Sequence, residues 1–343
     1  MNNNYIHPQF KLNGVPHTVE SLKHEALLLL QSPEEHLRDL GQLIGDWLDE
    51  KKHIVQRTSG TTGPPKEIEL NKMAMIASAE ATVTFFDVRP GSKALLCMST
   101  QFVGGKLMFI RALLFGWELD VCKPSACPLA HTATHYNFVA MVPMQVENSL
   151  KEMNQIDILI IGGAKVSPVL AQKLLEKNTQ VYETYGMTET ITHIAAKKIG
   201  TPYFEVLPHA NIQTDERGCL VIHAPAINPN PIVTNDLVQL INNRTFEWLG
   251  RFDNVINSGG VKLFPEQIEQ KLADKIKSRF FIGGKADDYF GTIVVLVIES
   301  EPYTLDEDVF EGLAKYERPK EIQFVEQLIE TESGKVIRSK NIN

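Results

Sequence analysis

A chain of 343 residues, 43% apolar and 22% charged, is long enough for a large core and more than one domain, and its composition is that of a folded protein. Its net charge of −8, from 34 basic against 42 acidic residues, argues against a general nucleic-acid binder, which must neutralise many phosphates. The four cysteines make no CxxC pair and no zinc-type ladder with histidine, which points away from a disulfide scaffold and towards a reducing cytoplasm. The polar start MNNNYIHPQF lacks the apolar core of a signal peptide, and the run ALLLL at 26–30 is far too short to span a bilayer.

Taken in chain order, VESLKHE and QSPEEHLRDLGQLIGDWLDEKK read as two amphipathic helices on either side of that run. The second is expected to start at Ser32 or Pro33, and the leucines of the run to face the core. RTSGTTGPPKEIEL, residues 57–70, then collects Thr58, Ser59, Thr61 and Thr62 around Gly60 and Gly63 and delivers Lys66 after two prolines. A surface turn uses the same residue types. A phosphate cradle needs them for another reason: glycines let backbone N–H groups approach an anion, hydroxyls add donors, and the lysine supplies a point charge. The stretch alone leaves both readings open.

Residues 71–87 have helical character. Four apolar runs, KALLCMS at 93, FVAMVP at 138, IDILIIGG at 156 and QVYETYG at 180, look like buried strands, with helical segments near 105–116, 144–153 and 168–177 among them. This alternation predicts an α/β layer structure with a largely parallel sheet and sites at the carboxyl ends of its strands. After residue 200, CLVIHAP, DLVQLINN and TFEWLG suggest a smaller β unit. PEQIEQKLADKIKS is expected to be a helix with proline in its first turn. FFIGG, TIVVLVIES, a helix around 305–316 and a polar end complete the chain. A boundary near Phe252–Asp253 would leave domains of 1–252 and 253–343, both of ordinary size.

Three further stretches could carry chemistry. In YETYGMTET, residues 182–190, Tyr185 could cover a purine face, Thr188 could bond a phosphate and Glu189 could hold Mg²⁺; a solvated strand-end turn is the plain alternative. Asp236 of TND could accept both hydroxyls of a ribose, with Arg251 of GRFD forked onto a nearby oxygen, although a lone aspartate is ordinarily a surface residue. Lys335 of ESGKVIR, taken by itself, is ordinarily solvated. The Walker loop, the GxGxxG fingerprint, the kinase motifs and the GxSxG elbow are all missing from the sequence.

Together and in this order, TSGTTGPPK, ETYGMTET, the Asp of TND, GRFDNVINSGG with PEQIE, and SGKVIR resemble the signatures of the adenylate-forming superfamily of acyl-CoA synthetases, luciferases and peptide-synthetase adenylation domains. The likeness covers nearly the whole chain. It implies a large amino-terminal α/β domain with a mostly parallel sheet and a small β unit, followed by a small mobile α+β domain. It also implies roles. Thr58, Ser59, Gly60, Thr61, Thr62, Gly63 and Lys66 would bind the triphosphate. Gly162, Gly163 and Ala164, with Thr184, Tyr185 and Gly186, would line the adenine and acyl pockets. Thr188 and Glu189 would serve phosphate and Mg²⁺, Asp236 and Arg251 the ribose, Asp253 the hinge, and Gly259 and Gly260 the approach of CoA. Lys335 resembles the catalytic lysine that reaches both the carboxylate and the nucleotide.

HPQFKLNG, STQFVGGKLMFIRALL and YGMTETITHIAAKKI are similar to one branch, the o-succinylbenzoate–CoA ligases of menaquinone biosynthesis. Such an acid carries a second carboxylate and a keto group, so its pocket needs a cation or several donors; Gln101, Lys106, Arg111, Thr192 and His193 are the candidates. His193 reads equally well as a satisfied buried histidine. The resemblance thus implies ATP, Mg²⁺, CoA and an aromatic carboxylic acid as partners, no nucleic acid, no membrane span, and a homodimer as the open question of assembly. Rival readings are another aryl- or acyl-CoA ligase, an adenylation domain loading a carrier protein, and a non-catalytic nucleotide-binding protein. The departures from the pattern are Glu67 after the loop lysine, Asn235 before Asp236, Gln101-Phe102 where an aromatic–His pair is common, and a shortened amino-terminal region.

Overall fold

The computed structural model describes residues 5–57, 67–330 and 336–342. The loop from Thr58 to Lys66 and the lysine at 335 therefore lie outside the described residues.

A short ribbon, β1 (Lys11–Leu12) and β2 (Val15–Pro16), leads into helix α1 (Val19–Leu30), whose start is closed by a reciprocal capping box between Thr18 and Ser21. Helix α2 (Glu35–Leu48) begins later than Ser32 or Pro33, behind Glu34. Ser32 and Pro33 form its entry turn instead: the Ser32 hydroxyl accepts from the Glu34 N–H, and the Arg38 guanidinium donates to both the Ser32 and Pro33 carbonyls at 2.9 and 2.8 Å. The expectation for the leucine run also fails. Leu22 and Ala26 are buried, but Leu27, Leu28 and Leu30 are exposed, Leu27 by 60%. Consecutive leucines cannot all lie on one helical face, and α2 covers only the Leu22–Ala26 side, where Gly41 would clash with the Ala26 carbonyl if it carried a Cβ.

β3 (His53–Arg57) and β4 (Glu67–Asn71) form an antiparallel hairpin in which Glu67 stands opposite Arg57. The hydroxyl- and glycine-rich stretch joins them in sequence. Helix α3 (Lys72–Phe86) is capped by the Asn71 side chain and anchored by the buried Lys72 ammonium, which donates to the Asp49 carboxylate and the Trp47 carbonyl.

Next come β5 (Lys93–Leu96), α4 (Val103–Phe115), β6 (Glu118–Val121), β7 (Tyr136–Met141), α5 (Pro143–Asn148), β8 (Ile156–Ile161), α6 (Pro168–Leu175) and β9 (Gln180–Gly186). These strands lie side by side in the order β6-β5-β7-β8-β9 and are all parallel. Helix α4 is apolar except for Lys106 and Arg111, and every residue from Gly105 to Leu114 is buried. Past β9 the sheet changes character. β10 (His193–Lys198), β11 (Tyr203–Val206), β12 (Asn211–Thr214), β13 (Cys219–His223), β14 (Ile232–Asn242) and β15 (Thr245–Arg251) join it antiparallel and, with the β1–β2 ribbon paired to β6 at the other edge, give thirteen strands among the described residues. The expected small β unit is real in its packing, since Phe204, Phe246 and Ile222 share a core with their neighbours, yet hydrogen bonds from β9 to β10 make it one sheet with the parallel part.

After a turn at Phe252–Asn254 the chain forms separate sheets: β16 (Ile256–Ser258) with β17 (Val261–Leu263), then helix α7 (Pro265–Leu272) and the set β18 (Phe280–Asp287), β19 (Gly291–Glu299) and β20 (Glu321–Val325). They enclose their own core of Ile256, Ile268, Leu272, Ile282 and Leu296. The helix expected around 305–316 is a single 3-10 turn, Glu307–Phe310. Lys275 takes the Asp308 and Glu311 carbonyls that a continuing helix would use, and Gly312, at φ +85°, turns the chain away. No helix among the described residues is long and apolar enough to cross a membrane. All four cysteines are free.

The two faces of α1 separate experimentally. Leu22→Ala is expected to lower unfolding stability by about 2–5 kcal/mol. Leu27→Gln and Leu28→Gln should each change it by no more than about 0.5 kcal/mol, as read from denaturant midpoints.

Candidate active site

β7, β8 and β9 end together at Met141, Ile161 and Gly186, on the edge where open α/β sheets bind ligands. A cavity of about 860 Å³ lies there, between the start of α4 and the loops that follow these strands. That is a usual size for a small-molecule site. Of the sequence candidates, Gly162, Gly163, Thr184, Gly186 and Thr188 line it, as do Arg111, Thr192 and His193. Much of the remaining wall is apolar, with Met98, Phe102, Val103, Met141 and Met187 contributing.

The glycines are there for close approach. A Cβ on Gly162 would stand 2.9 Å from the Thr184 hydroxyl, which itself donates to the Ile161 carbonyl, and a Cβ on Gly186 would collide with the Thr192 carbonyl oxygen. Gly163 sits at φ +84°. The Thr188–Thr190 turn then leads into Ile191, at φ +64° and ψ −57°. With the Thr192 N–H donating to the Thr190 carbonyl at 2.7 Å, this is a γ-turn of the strained hand on a β-branched residue. The buried Thr190 hydroxyl, which accepts from the Met187 N–H, braces it. Ile191 lines the cavity, and nothing in its residue type announced such a conformation.

At the inner end stands Arg111, from the third turn of α4. It is 1% exposed, and its Nε and Nη2 find no hydrogen-bond partner among the described residues. Burial lowers its pKa to about 9, which leaves it a cation at neutral pH. His193 is nearby in electrostatic terms: burial first, then the charge of Arg111, push its pKa well below the usual range, so it is neutral. The network assigns its tautomer. Thr82 donates its hydroxyl hydrogen to the Ser78 carbonyl at 2.9 Å, so the His193 Nε2, 3.3 Å from that hydroxyl, must carry the hydrogen. Nδ1 is left to accept from Thr192, at 3.4 Å. His193 is therefore both a satisfied core histidine and part of the cavity wall.

A second cluster adjoins the first through β9. The Tyr185 hydroxyl donates to Asp236 Oδ2 at 2.7 Å, and the Trp248 indole N–H donates to Oδ1 at 3.1 Å. Arg251 approaches the same oxygen at 3.6 Å. Burial, then the Asp236 carboxylate, raises the Tyr185 pKa, so the ring keeps its proton. Trp248 was invisible to sequence reasoning. In TFEWLG it reads as one more core aromatic, and only the β14–β15 register, with Val238 opposite Trp248 and Asp236 opposite Arg251, brings it to the carboxylate.

Other candidates stand apart from the cavity. Gln101 turns outward, its amide donating to Asp39 at 3.1 Å, and Lys106 is consumed by the Thr100 and Gln101 carbonyls at 2.7 and 3.2 Å. Neither lines the cavity. Ala164 and Glu189 are exposed on its flanking turns. Asp253 is exposed beside Arg251 and Asn235. Gly259 and Gly260, both at positive φ, form the β16–β17 turn beneath the Phe290 and Tyr316 rings. Thr58, Ser59, Gly60, Thr61, Thr62, Gly63, Lys66 and Lys335 lie outside the described residues. Among the described residues no group of three or more His, Cys, Asp or Glu side chains is placed to hold a metal.

A mixed sheet with a glycine-lined cavity at its strand ends, and an aromatic ring bonded to a carboxylate beside it, is the frame of a nucleotide-dependent ligase. The model of the AMP-binding enzyme family matches residues 24–217, and the chain belongs to that family of AMP-forming ligases. Among solved structures it is similar to an acyl-CoA synthetase (AMP-forming)/AMP-acid ligase II-like protein from Dyadobacter fermentans, at 33% identity and TM-score 0.64, over 93% of this chain and 97% of that one. Among curated proteins it is similar to a 2-succinylbenzoate–CoA ligase of Bacillus cereus, at 26% identity over 82% of this chain and 67% of the relative. The O-succinylbenzoate coenzyme A synthetase of Bacillus subtilis shares the fold, with TM-score 0.72 at 19% identity, over 93% of this chain and 82% of that one.

The buried histidines set a pH dependence. His193 lies well below its ordinary value, and burial followed by the Arg244 charge lowers His209 to about 4. The unfolded chain would bind protons that the folded one refuses, so stability is full above about pH 6.5 and falls as the pH drops from there towards 4. Denaturant midpoints across that range should show the decline, and His209→Gln should flatten it.

Proposed function

We propose that this ligase activates an aromatic carboxylic acid with ATP and transfers the acyl group to CoA, and that the acid is o-succinylbenzoate. Arg111 carries the acid assignment. A buried cation with nitrogens unpartnered among the described residues, on a largely apolar cavity wall, suits an aromatic acid that bears a second carboxylate and a keto group. Plain benzoate or a fatty acid would leave those donors unpaired, and unpaired buried donors discriminate strongly. The curated relatives, 2-succinylbenzoate–CoA ligases by name, support the same choice.

A carboxylate is a poor electrophile because its own charge repels a nucleophile. In the first step one of its oxygens bonds to the α-phosphorus of ATP as the bond to pyrophosphate breaks. In the second, the CoA sulfur bonds to the acyl carbon, AMP departs and the thiol proton is released. Tyr185 covers the adenine, with Gly162, Gly163, Ala164 and Thr184 around it. Asp236 and Arg251 hold the ribose, and Thr188 takes a phosphate oxygen. The residues 58–63, with Lys66, cradle the triphosphate. Lys335 offsets the charge that gathers at phosphorus. Glu189, an exposed carboxylate on a turn flanking the cavity, fits an ion that takes one or two carboxylates plus phosphate oxygens, and it would hold Mg²⁺, which supplies further charge neutralisation.

The domain division belongs to this reading: 1–252 as the large domain, 253–343 as the small mobile one, and Asp253 as the hinge. The Asn235 amide donates to Asp253 at 3.3 Å, so the hinge is tied to the strand that carries Asp236. Rotation about it would exchange the Lys335 face for the Gly259–Gly260 face, where the open space at Gly260, with no Cβ, suits the approach of a pantetheine arm.

Pyrophosphate release and thioester formation over a panel of acids test the substrate. o-Succinylbenzoate should be preferred, and preference for benzoate or a fatty acid would remove it. Arg111→Leu should lower kcat/KM for o-succinylbenzoate by about a hundredfold, consistent with about 2–5 kcal/mol for a buried charged pair, and leave benzoate nearly unchanged. Lys335→Ala should slow adenylate formation by several hundred-fold, from about 3–4 kcal/mol of lost transition-state stabilisation, with ATP binding retained. A carrier protein accepted where free CoA is refused would redirect the second step.

A further inference from the structure

We infer that Trp248 is the positioning residue for Asp236, and that its indole N–H fixes the carboxylate in the one orientation that reads both hydroxyls of a nucleotide's ribose. The inference rests on the assignment of Asp236 to the ribose and adds the group that makes it selective.

Asp236 is buried, and each of its two oxygens is held by a different ring donor: Tyr185 on Oδ2 at 2.7 Å, Trp248 on Oδ1 at 3.1 Å. Its backbone N–H is bonded as well, to the Thr234 hydroxyl at 3.0 Å. Arg251 is a looser neighbour at 3.6 Å, with a side chain nearly half exposed. A carboxylate offers about four lone-pair directions. Two donors, one on each oxygen, leave the remaining directions defined and stop the group from rotating, so a vicinal diol finds two acceptors already set. With one donor removed, the carboxylate could swing to follow a single hydroxyl, and a deoxy sugar would cost less.

Trp248 is itself built to stay in place. The Gln267 amide of α7 donates to its carbonyl at 3.0 Å and to that of Leu249 at 3.2 Å. The Lys165 ammonium lies over the ring, 5.2 Å from its centroid, one residue beyond the Gly162–Gly163–Ala164 loop. Tryptophan's indole nitrogen can only donate, so Asp236 Oδ1 is its natural acceptor. Phenylalanine at 248 would keep the ring and lose the donor.

Equilibrium binding of ATP, 2′-deoxy-ATP and 3′-deoxy-ATP with Mg²⁺, by calorimetry, tests this without any acid substrate. Trp248→Phe should weaken ATP about three- to tenfold, leave the deoxy nucleotides within about twofold, and so compress the preference for ATP, as expected for one hydrogen bond to a charged group. Asp236→Asn should abolish the preference. If Asp236→Asn abolishes it while Trp248→Phe weakens all three nucleotides equally or none, the indole is packing alone and the inference fails. If Asp236→Asn leaves the preference intact, the ribose assignment fails and takes the inference with it. The unmodified chain offers a check that needs no variant, because it has three tryptophans, Trp47, Trp117 and Trp248. The Trp248 indole proton resonance should shift with ATP and shift less with 2′-deoxy-ATP; no shift with ATP would overturn the inference.

Discussion

A guanidinium buried inside a mostly apolar helix, with nitrogens that reach no partner among the described residues, is the constraint around which this molecule is arranged. Taking a cation out of water is costly, and proteins ordinarily pair such a charge. Here α4 carries Arg111 to the wall of the cavity, and His193, on the same wall and within its electrostatic reach, is held neutral with its one hydrogen committed to Thr82. The described residues supply no counter-charge, and in our proposal the acid substrate brings one. The rest of the cavity wall is largely apolar, with four methionines, and under our proposal it would hold an aromatic ring without competing for that cation.

The nucleotide end is organised by a different economy. The Tyr185–Asp236 bond joins residues 51 apart in sequence and links the parallel part of the sheet to the antiparallel part. The change of strand direction after β9 is therefore functional in our account: it turns a flat ring and a carboxylate towards each other beside the strand ends where Gly162, Gly163 and Thr184 meet. The strained turn at Ile191 lies in the same place, and the Thr190 hydroxyl bonds hold it. In our proposal the acid pocket and the nucleotide pocket thus share one strand, β9, and its following turn.

Much of this was legible in the sequence, for physical reasons that differ by region. β5, β7 and β8 were readable because buried parallel strands are near-continuous apolar runs, and β9 because its short run ends in a glycine turn. Tyr185, Asp236 and Arg251 were readable because they sit in motifs whose order carries meaning. Arg111 was readable only as a candidate, since a sequence does not say whether a cation faces water or a cavity; Gln101 and Lys106, equal candidates, turned out to serve Asp39 and two carbonyls. The leucines at 27, 28 and 30 misled because local hydrophobicity says nothing about which side a partner helix covers. The helix expected around 305–316 misled because Lys275, some thirty residues earlier, takes its carbonyls. Trp248 could not be found at all without the strand register.

Thermal unfolding with an ATP analogue and saturating o-succinylbenzoate tests the central claim, that Arg111 is an unpaired cation awaiting an anionic substrate. The unmodified protein should be stabilised by the acid, by about 2.7 kcal/mol at a hundredfold excess over its dissociation constant. Arg111→Leu should be at least as stable as the unmodified chain without the acid, because a costly buried charge has been removed, and should gain nothing when it is added. A variant that is much less stable without the acid, yet still responds fully to it, would show that Arg111 is a structural strut and contradict the account.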